Sequence, residues 1–366
     1  MPEDRPNSKT PIPPENRVGY AVVGVGKLTA QELLPAYRNS RFSRLAALVS
    51  DEHEKALEFA LAHGLTESDV YSYRDFDRLG ERDDVRAVYV VLPNSLHREY
   101  TERAARLGKH VLCEKPLAAN LEDAEAMVAA CAAANVRLMT AYRCQYTPQH
   151  WAARDLIQSG DFGRIGLVQA THTQVENDPN VWRLKRELAG GGALPDIGLY
   201  CLNTVRFLLA EEPEEVFAYQ FSTPNDPRFL EVEEAVVWTM RFPSGALSTC
   251  ATSYNASRAN SISVHGERAW LSLDPAFAYR GLEFEVVREH TRETPIIDER
   301  DQFALEIDHF SQCIIENRQP FTPGEEGLQD QRIMAAIYRS ASEGRPVKLE
   351  RIERKDAFRG PPPQRD

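Results

Sequence analysis

The chain has 366 residues, 42 % of them hydrophobic, and its 43 basic against 55 acidic residues give a formal charge of −12. That length and apolar content can fill two domain cores, and the acidic balance excludes nucleic acid as a partner, because such binding rests on neutralising phosphates with Lys and Arg. Six scattered cysteines with no CxxC pair read as reduced thiols, forming neither a metal site nor a disulfide framework, and no apolar run reaches the length of a membrane span.

Residues 1–17 hold five prolines among polar residues and read as an extended arm, since proline suits neither a helix interior nor a central strand. No signal peptide opens the chain; as written the protein reads as cytoplasmic, or periplasmic if an export signal has been removed. Val18–Val23 is a short apolar run that reads as a buried parallel strand. It passes into Gly24-Val25-Gly26-Lys27-Leu28-Thr29 and then a helix over 30–38. Strand, glycine turn and helix in that order suit a dinucleotide, because the glycines allow a tight turn and close approach of a pyrophosphate to the helix N-terminus. The third small position is Thr29 instead of Gly or Ala.

Further strands are expected over 45–50, 85–92, 109–113 and 137–141, with helices over 52–63, 96–107 and 121–135. This alternation predicts an α/β, doubly wound parallel sheet, a Rossmann domain over 18–141, with ligands beyond the carboxyl ends of its strands. The loops 93–97, 114–116 and 142–146 fall there.

From 142 to 350 the alternation stops. A helix over 148–158 and a strand over 166–175 precede strands over 215–222, 235–242, 246–254, 261–265 and 269–273, and helices over 302–317 and 325–343 follow. This predicts an α+β domain with a large, mostly antiparallel open sheet. Helices, including the terminal pair, would cover one face. A second subunit would cover the other, giving a homodimer or homotetramer. The tail 351–366, with Pro361-Pro362-Pro363, reads as disordered. Within the domain, Gly190-Gly191-Gly192 reads as a flexible run before Asp196, which would cap a helix through its carboxylate. Tyr200 and Asn203 follow at four and seven residues, on the same helix face. His150, His172 and His265 read as structural or surface residues.

Gly24-Val25-Gly26-Lys27, Leu92-Pro93-Asn94-Ser95-Leu96-His97, Cys113-Glu114-Lys115-Pro116, Tyr142-Arg143-Cys144-Gln145-Tyr146, the run Trp182–Gly192 and the Asp196–Asn203 helix occur in the order and spacing of the Gfo/Idh/MocA family. Over about residues 17–347 the chain resembles its glucose–fructose and aldose–aldose oxidoreductase branch. The resemblance implies hydride transfer between a sugar carbon and nicotinamide C4, with NADP(H) tightly bound. One aldose would be oxidised at C1 to the aldonolactone, and a second sugar reduced to an alditol. The alternatives are an ordinary aldose or inositol-type dehydrogenase with dissociable NAD(P), and a non-catalytic NADP-binding regulator.

By the same resemblance Tyr200 is the acid/base, with Lys115 lowering its pKa as a neighbouring cation can, and Asp196 accepts a hydrogen bond from a sugar hydroxyl. Gly24, Gly26, Lys27 and Leu28 hold the cofactor at the glycine turn. Ser50 and Lys55 receive a 2′-phosphate, with Asp51 a departure from the family pattern. Asn94 and His97 lie near the nicotinamide ribose, and Pro93, Glu114 and Lys115 are further cofactor-binding positions. Arg143, Trp182 and Arg183 lie near the nicotinamide or pyrophosphate. Tyr146 and Tyr254 line the sugar site with Lys115, Asp196 and Tyr200, core packing being the alternative for both tyrosines. No metal is implied, and the partners are small-molecule sugars.

Overall fold

The computed structural model describes residues 13–365. Most of the 1–17 arm therefore lies outside the described residues. β1 (Val18–Val23) is buried along its whole length, as a central parallel strand covered on both faces must be. A π-helical turn, Thr29–Leu33, opens α1 (Leu34–Asn39). The chain continues through β2 (Ser43–Val49), α2 (His53–Ala62), β3 (Val70–Tyr71), β4 (Ala87–Val90), α3 (His97–Arg106), β5 (His110–Glu114), α4 (Leu121–Ala133) and β6 (Leu138–Ala141). Their order in the sheet is β3-β2-β1-β4-β5-β6, all parallel. The order reverses between β1 and β4, which opens a crevice beyond the strand ends.

The second half holds α5 (Pro148–Gln158), β7 (Ile165–Val175), α6 (Arg186–Ala189), α7 (Leu199–Leu209), β8 (Glu215–Phe221), β9 (Ala235–Arg241), β10 (Leu247–Ser253), β11 (Asn255–Gly266), β12 (Ala269–Leu273), β13 (Phe284–Arg288), β14 (Thr291–Glu293), α8 (Gln302–Ile315), α9 (Gly324–Glu343) and β15 (Val347–Lys348). Nine strands pair in the order β14-β13-β12-β11-β7-β10-β9-β8-β15. Only β7 and β10 run parallel. The strands alternate buried and open residues. Val168, Ala170, Trp238 and Cys250 face the core shared with α5 and α7, while Tyr219, Phe221, Val237 and Leu247 are exposed on the other face.

Two expectations are corrected here. α8 does not cover the second sheet: Phe303, Ile307 and Phe310 pack against β1 and α1, and Asp308 accepts hydrogen bonds from Ser40 Oγ, Ser43 Oγ and the main-chain N–H of Arg41 and Phe42. The helix thus returns the chain to the nucleotide-binding sheet. The tail is ordered where disorder was expected. The Gly360 N–H donates to the Phe321 carbonyl, and the wholly buried Arg359 side chain pairs with Glu326 at 2.6 Å. A guanidinium can enter the core because the buried carboxylates there need a countercharge.

Candidate active site

The glycine turn is shaped by close approach. Gly24 has φ +98°, and a Cβ there would lie 2.2 Å from the Val91 carbonyl oxygen, whereas a Cβ on Gly26 would meet open space. Thr29 stands at the third small position because its hydroxyl donates to the Gly24 carbonyl at 2.7 Å and closes the turn. Lys27 is exposed and Leu28 half-buried against the core of this domain. The open space over Gly26 and the helix start beyond it fit a pyrophosphate.

At the end of β2, Ser50 is buried, with its hydroxyl accepting from the Glu52 N–H, and Lys55 makes an exposed ion pair with Glu52 at 2.9 Å. The Asp51 carboxylate accepts from the Tyr73 N–H at 2.9 Å.

Beyond β5 lies a cluster of charge. Lys115 Nζ donates to the main-chain oxygen of Asp196 at 2.7 Å and to its Oδ1 at 3.1 Å. Asp196 Oδ2 accepts from the Tyr254 hydroxyl at 2.7 Å and pairs with Arg183 Nε at 3.2 Å. Burial opposes the Asp196 charge, but Lys115, Arg183 and the Tyr254 hydroxyl outweigh it and hold the acid well below the usual carboxylate range. Asp196 is therefore not the expected helix cap. A π-helical turn, Leu194–Gly198, runs into α7 without a side-chain cap bond, and the carboxylate is spent across the site.

Tyr200, on the first turn of α7, has the Lys115 ammonium over its ring face, 4.7 Å from the centroid. Its hydroxyl instead accepts from Arg143 Nε at 3.1 Å. Burial pushes the phenol well above its ordinary value, and Arg143 is the main opposing influence. The cation that meets the hydroxyl is thus Arg143, where Lys115 was expected, because the lysine is held by Asp196. Arg143 itself is buried and also bonds Gln302 and the carbonyls of Phe277 and Ala278.

The remaining expected residues divide. Trp182 and Arg183 stay together, the guanidinium 4.5 Å above the indole. Pro93 precedes a short 3-10 turn, Asn94–Leu96, and Asn94 Nδ2 donates to the Ala189 carbonyl, tying that turn to the glycine run. The run is packed, not flexible: a Cβ on Gly190 would lie 2.0 Å from the Ala119 carbonyl oxygen. His97 is wholly buried among the carbonyls of Leu92, Pro116 and Leu117, a strut between two loops. Glu114 accepts from the Tyr89 hydroxyl at 2.8 Å, and burial raises its carboxyl. Tyr254 reaches the site through Asp196. Tyr146 does not: its ring lies against His309 and its hydroxyl meets Thr322 Oγ1, so it is a core residue. Asn203 stays on the Tyr200 side of α7, lining one small cavity with Tyr200 and Lys115, while its amide donates to Glu326 and Asp330 in a buried network.

His172 was missed. It lies on the buried face of β7 with its ring 5.4 Å from that of Tyr200, and Nδ1 lies 3.2 Å from the Ile197 carbonyl oxygen. Burial lowers it to about 4, against the pull of Asp196, so it is neutral at pH 7. Strand parity alone could have placed it beside Val168 and Ala170. Phe277, stacked 5.8 Å from Tyr200, comes from a loop with no local signal.

Comparison with known proteins adds the family. The NAD-binding Rossmann domain of the Gfo/Idh/MocA oxidoreductases matches residues 18–142, and their C-terminal α/β domain matches 154–349. The chain is similar to the aldose–aldose oxidoreductase of Caulobacter crescentus, solved with glycerol, at 42 % identity and a TM-score of 0.89, covering 91 % of this chain and 100 % of that one. It is 34 % identical to the NADP(+) D-xylose 1-dehydrogenase of Haloarcula marismortui over 92 % of this chain and 94 % of that one. A 3-ketoreductase of Actinomadura kijaniata, solved with NADP and TDP-benzene, has a TM-score of 0.79 at 27 % identity, covering 89 % of this chain and 98 % of that one. The chain belongs to the Gfo/Idh/MocA oxidoreductase family.

Proposed function

We propose that this Gfo/Idh/MocA oxidoreductase is an NADP-dependent sugar oxidoreductase that oxidises an aldose at C1 to the aldonolactone and, with its cofactor retained, reduces a second sugar to an alditol. The observation that carries the reading is the Tyr200 hydroxyl, which accepts from Arg143 Nε beside the Lys115–Asp196 pair. Because the phenol oxygen accepts from the guanidinium, its own proton is free to go to a carbonyl oxygen during reduction. In oxidation the phenolate takes the sugar hydroxyl proton, a general acid–base role. Lys115 and Asp196 would orient the sugar hydroxyls. A dinucleotide held by its pyrophosphate at the glycine turn would supply a nicotinamide that accepts or gives the hydride.

NADP over NAD is supported by two features. The Asp51 carboxylate is tied to the Tyr73 N–H, and Lys55 is held only by an exposed ion pair, which is worth little and is readily exchanged for a phosphate. Two of the relatives described above are named with NADP. The sugar is supported by the aldose–aldose oxidoreductase and xylose dehydrogenase relatives. The second of these also favours another reading, an ordinary aldose dehydrogenase with exchanging cofactor.

The test is the nicotinamide absorbance of the purified protein before and after glucose or xylose, then after a second sugar. NADP that co-purifies, is reduced by the first sugar and reoxidised by the second, with ping-pong kinetics, is the expected result. A nucleotide-free protein needing added NADP at each turnover would leave the ordinary dehydrogenase. No response to any aldose would overturn the sugar reading.

A further inference from the structure

Arg143 carries its charge into a place where no carboxylate among the described residues pairs with it. The residue is 4 % exposed. Its donors go to the Tyr200 hydroxyl, to Gln302 Oε1 at 2.6 Å and to the carbonyls of Phe277 and Ala278. These acceptors are all uncharged. Buried cations ordinarily have a carboxylate in contact, since removing a charge from water is costly.

Two carboxyls lie on the neighbouring elements. Glu114 has both oxygens occupied, Oε1 by the Tyr89 hydroxyl and Oε2 by the Lys115 N–H. Glu306 stands on α8 one turn beyond Gln302. It is wholly buried, and neither carboxyl oxygen has a hydrogen-bond partner among the described residues. A carboxylate without donors in a dry interior is strongly disfavoured, and the neutral acid is much less so. Burial and the nearby Glu114 charge push Glu306 the same way, against Arg143 and Tyr89.

We propose that Glu306 is held as a neutral acid and that the Arg143 charge is thereby reserved for the oxygen of Tyr200, so that Arg143 is the positioning residue that sets the proton affinity of the phenol. An ionised Glu306 would neutralise the guanidinium. A neutral one leaves it to stabilise the phenolate, in surroundings where charge is weakly screened.

The other groups facing Tyr200 are Lys115 and Glu114 at the end of β5, Tyr142 and Cys144 after β6, His172 on β7, Tyr279 before β13, and Asp196 on its own helix. Of these only Lys115 is a cation, and it lies over the ring, tied to Asp196. Glu306 is faced by Tyr89, Glu114, Arg143, Cys144 and Tyr146. The inference rests on the reading of Tyr200 as proton acceptor during sugar oxidation.

The experiment pairs a pH profile with an infrared spectrum. In Arg143→Gln the limb of sugar oxidation that needs the phenolate should move to higher pH by about 1–3 pH units. Arg143→Lys, which keeps a charge, should move it less. A uniform loss of rate with the limb unmoved would make Arg143 merely structural and overturn the proposal. Should Arg143→Gln not fold, Arg143→Lys still reports the limb. Independently of turnover, Glu306→Gln should remove a protonated carboxylic acid C=O stretch present in the wild-type protein at neutral pH. An unchanged spectrum would show Glu306 ionised and overturn the proposal. Loss of the sugar reading itself would show differently, as a wild-type protein inert to aldoses or a Tyr200→Phe variant that still oxidises them.

Discussion

Lys115 Nζ donates to both the main-chain oxygen and the carboxylate of Asp196, at 2.7 and 3.1 Å, and so ties the end of β5 to the helix that carries Tyr200. The ammonium is thereby fixed over the phenol ring, 4.7 Å from its centroid. Tyr200→Phe and Lys115→Met should each leave the fold and NADP binding intact while cutting sugar oxidation by about 10²–10⁴-fold. The double variant should be little worse than either single one, since both act on the same sugar hydroxyl. Steady-state rates checked beside circular dichroism decide this; losses that multiply would show two independent roles.

The two glycines of the turn should fail in different ways. Gly24→Ala places a Cβ 2.2 Å from the Val91 carbonyl oxygen at φ +98°, and should lower stability by about 1–3 kcal/mol. Gly26→Ala has room in the protein. It should melt like wild type yet bind NADP about tenfold or more weakly, roughly 1.4 kcal/mol, because the methyl enters the space a phosphate needs. Calorimetric melting beside fluorescence titration with NADPH separates the two, and an undiminished affinity in Gly26→Ala would place the cofactor elsewhere.

Acid should unfold the protein in part through two histidines. Burial lowers His150 and His309 to about 3, and among the described residues His150 Nε2 and His309 Nδ1 have no hydrogen-bond partner. In the unfolded chain each titrates near 6.5, at about the ordinary value. Between those values the unfolded state takes up protons that the folded state refuses. Their contribution is therefore complete above about pH 6.5 and is lost as pH falls toward 3, at up to about 1.4 kcal/mol per pH unit for each. His309→Gln should flatten the slope of unfolding free energy between pH 6.5 and 4.5. An unchanged slope would mean that His309 is already charged in the fold.

Arg359 should matter far more than its place near the chain end suggests. It pairs with Glu326 at 2.6 Å and reaches Gln145 Oε1 at 3.2 Å, all buried. Arg359→Met, or truncation after Lys355, should cost about 3–5 kcal/mol, the usual effect of stranding one member of a buried pair. Urea denaturation measures it, and a loss below about 1 kcal/mol would indicate that Arg206, which also pairs with Glu326, suffices alone.

The open face of the nine-stranded sheet should join two subunits. Tyr219 and Phe221 on β8 and Val237 on β9, where Tyr219 pairs with Val237, are 67, 58 and 46 % exposed, and further along the same face Leu247 on β10, 50 % exposed, pairs with Leu167 on β7; so much open apolar surface on one sheet face suits an interface. Light scattering should give a dimer or tetramer for the wild type and a smaller species for Tyr219→Lys combined with Leu247→Glu. A wild-type monomer at micromolar concentration would refute the interface.

The amino-acid sequence by itself determined the Rossmann half and the core of the second sheet. β1 and α5 occupy the spans expected from the residues, Val18–Val23 and Pro148–Gln158, because apolar periodicity and turn residues are local signals. β3 and β15, two residues each, are too short for any period to show, and the β13–β14 hairpin sits in a charged stretch without alternation. The helix bearing Tyr200 was legible, but its partners were not. Arg143 meets Tyr200 across 57 residues and Gln302 across 159. Asp196 looked like a cap because Asp before an apolar helix usually is one. Only the tertiary structure decided that Lys115, Arg183 and Tyr254 would claim its carboxylate, that Tyr146 would turn into the core, and that Arg359 would follow the chain back inside. A buried charge takes whichever countercharge the packing of distant segments brings within reach, and no local pattern in the residues records that choice.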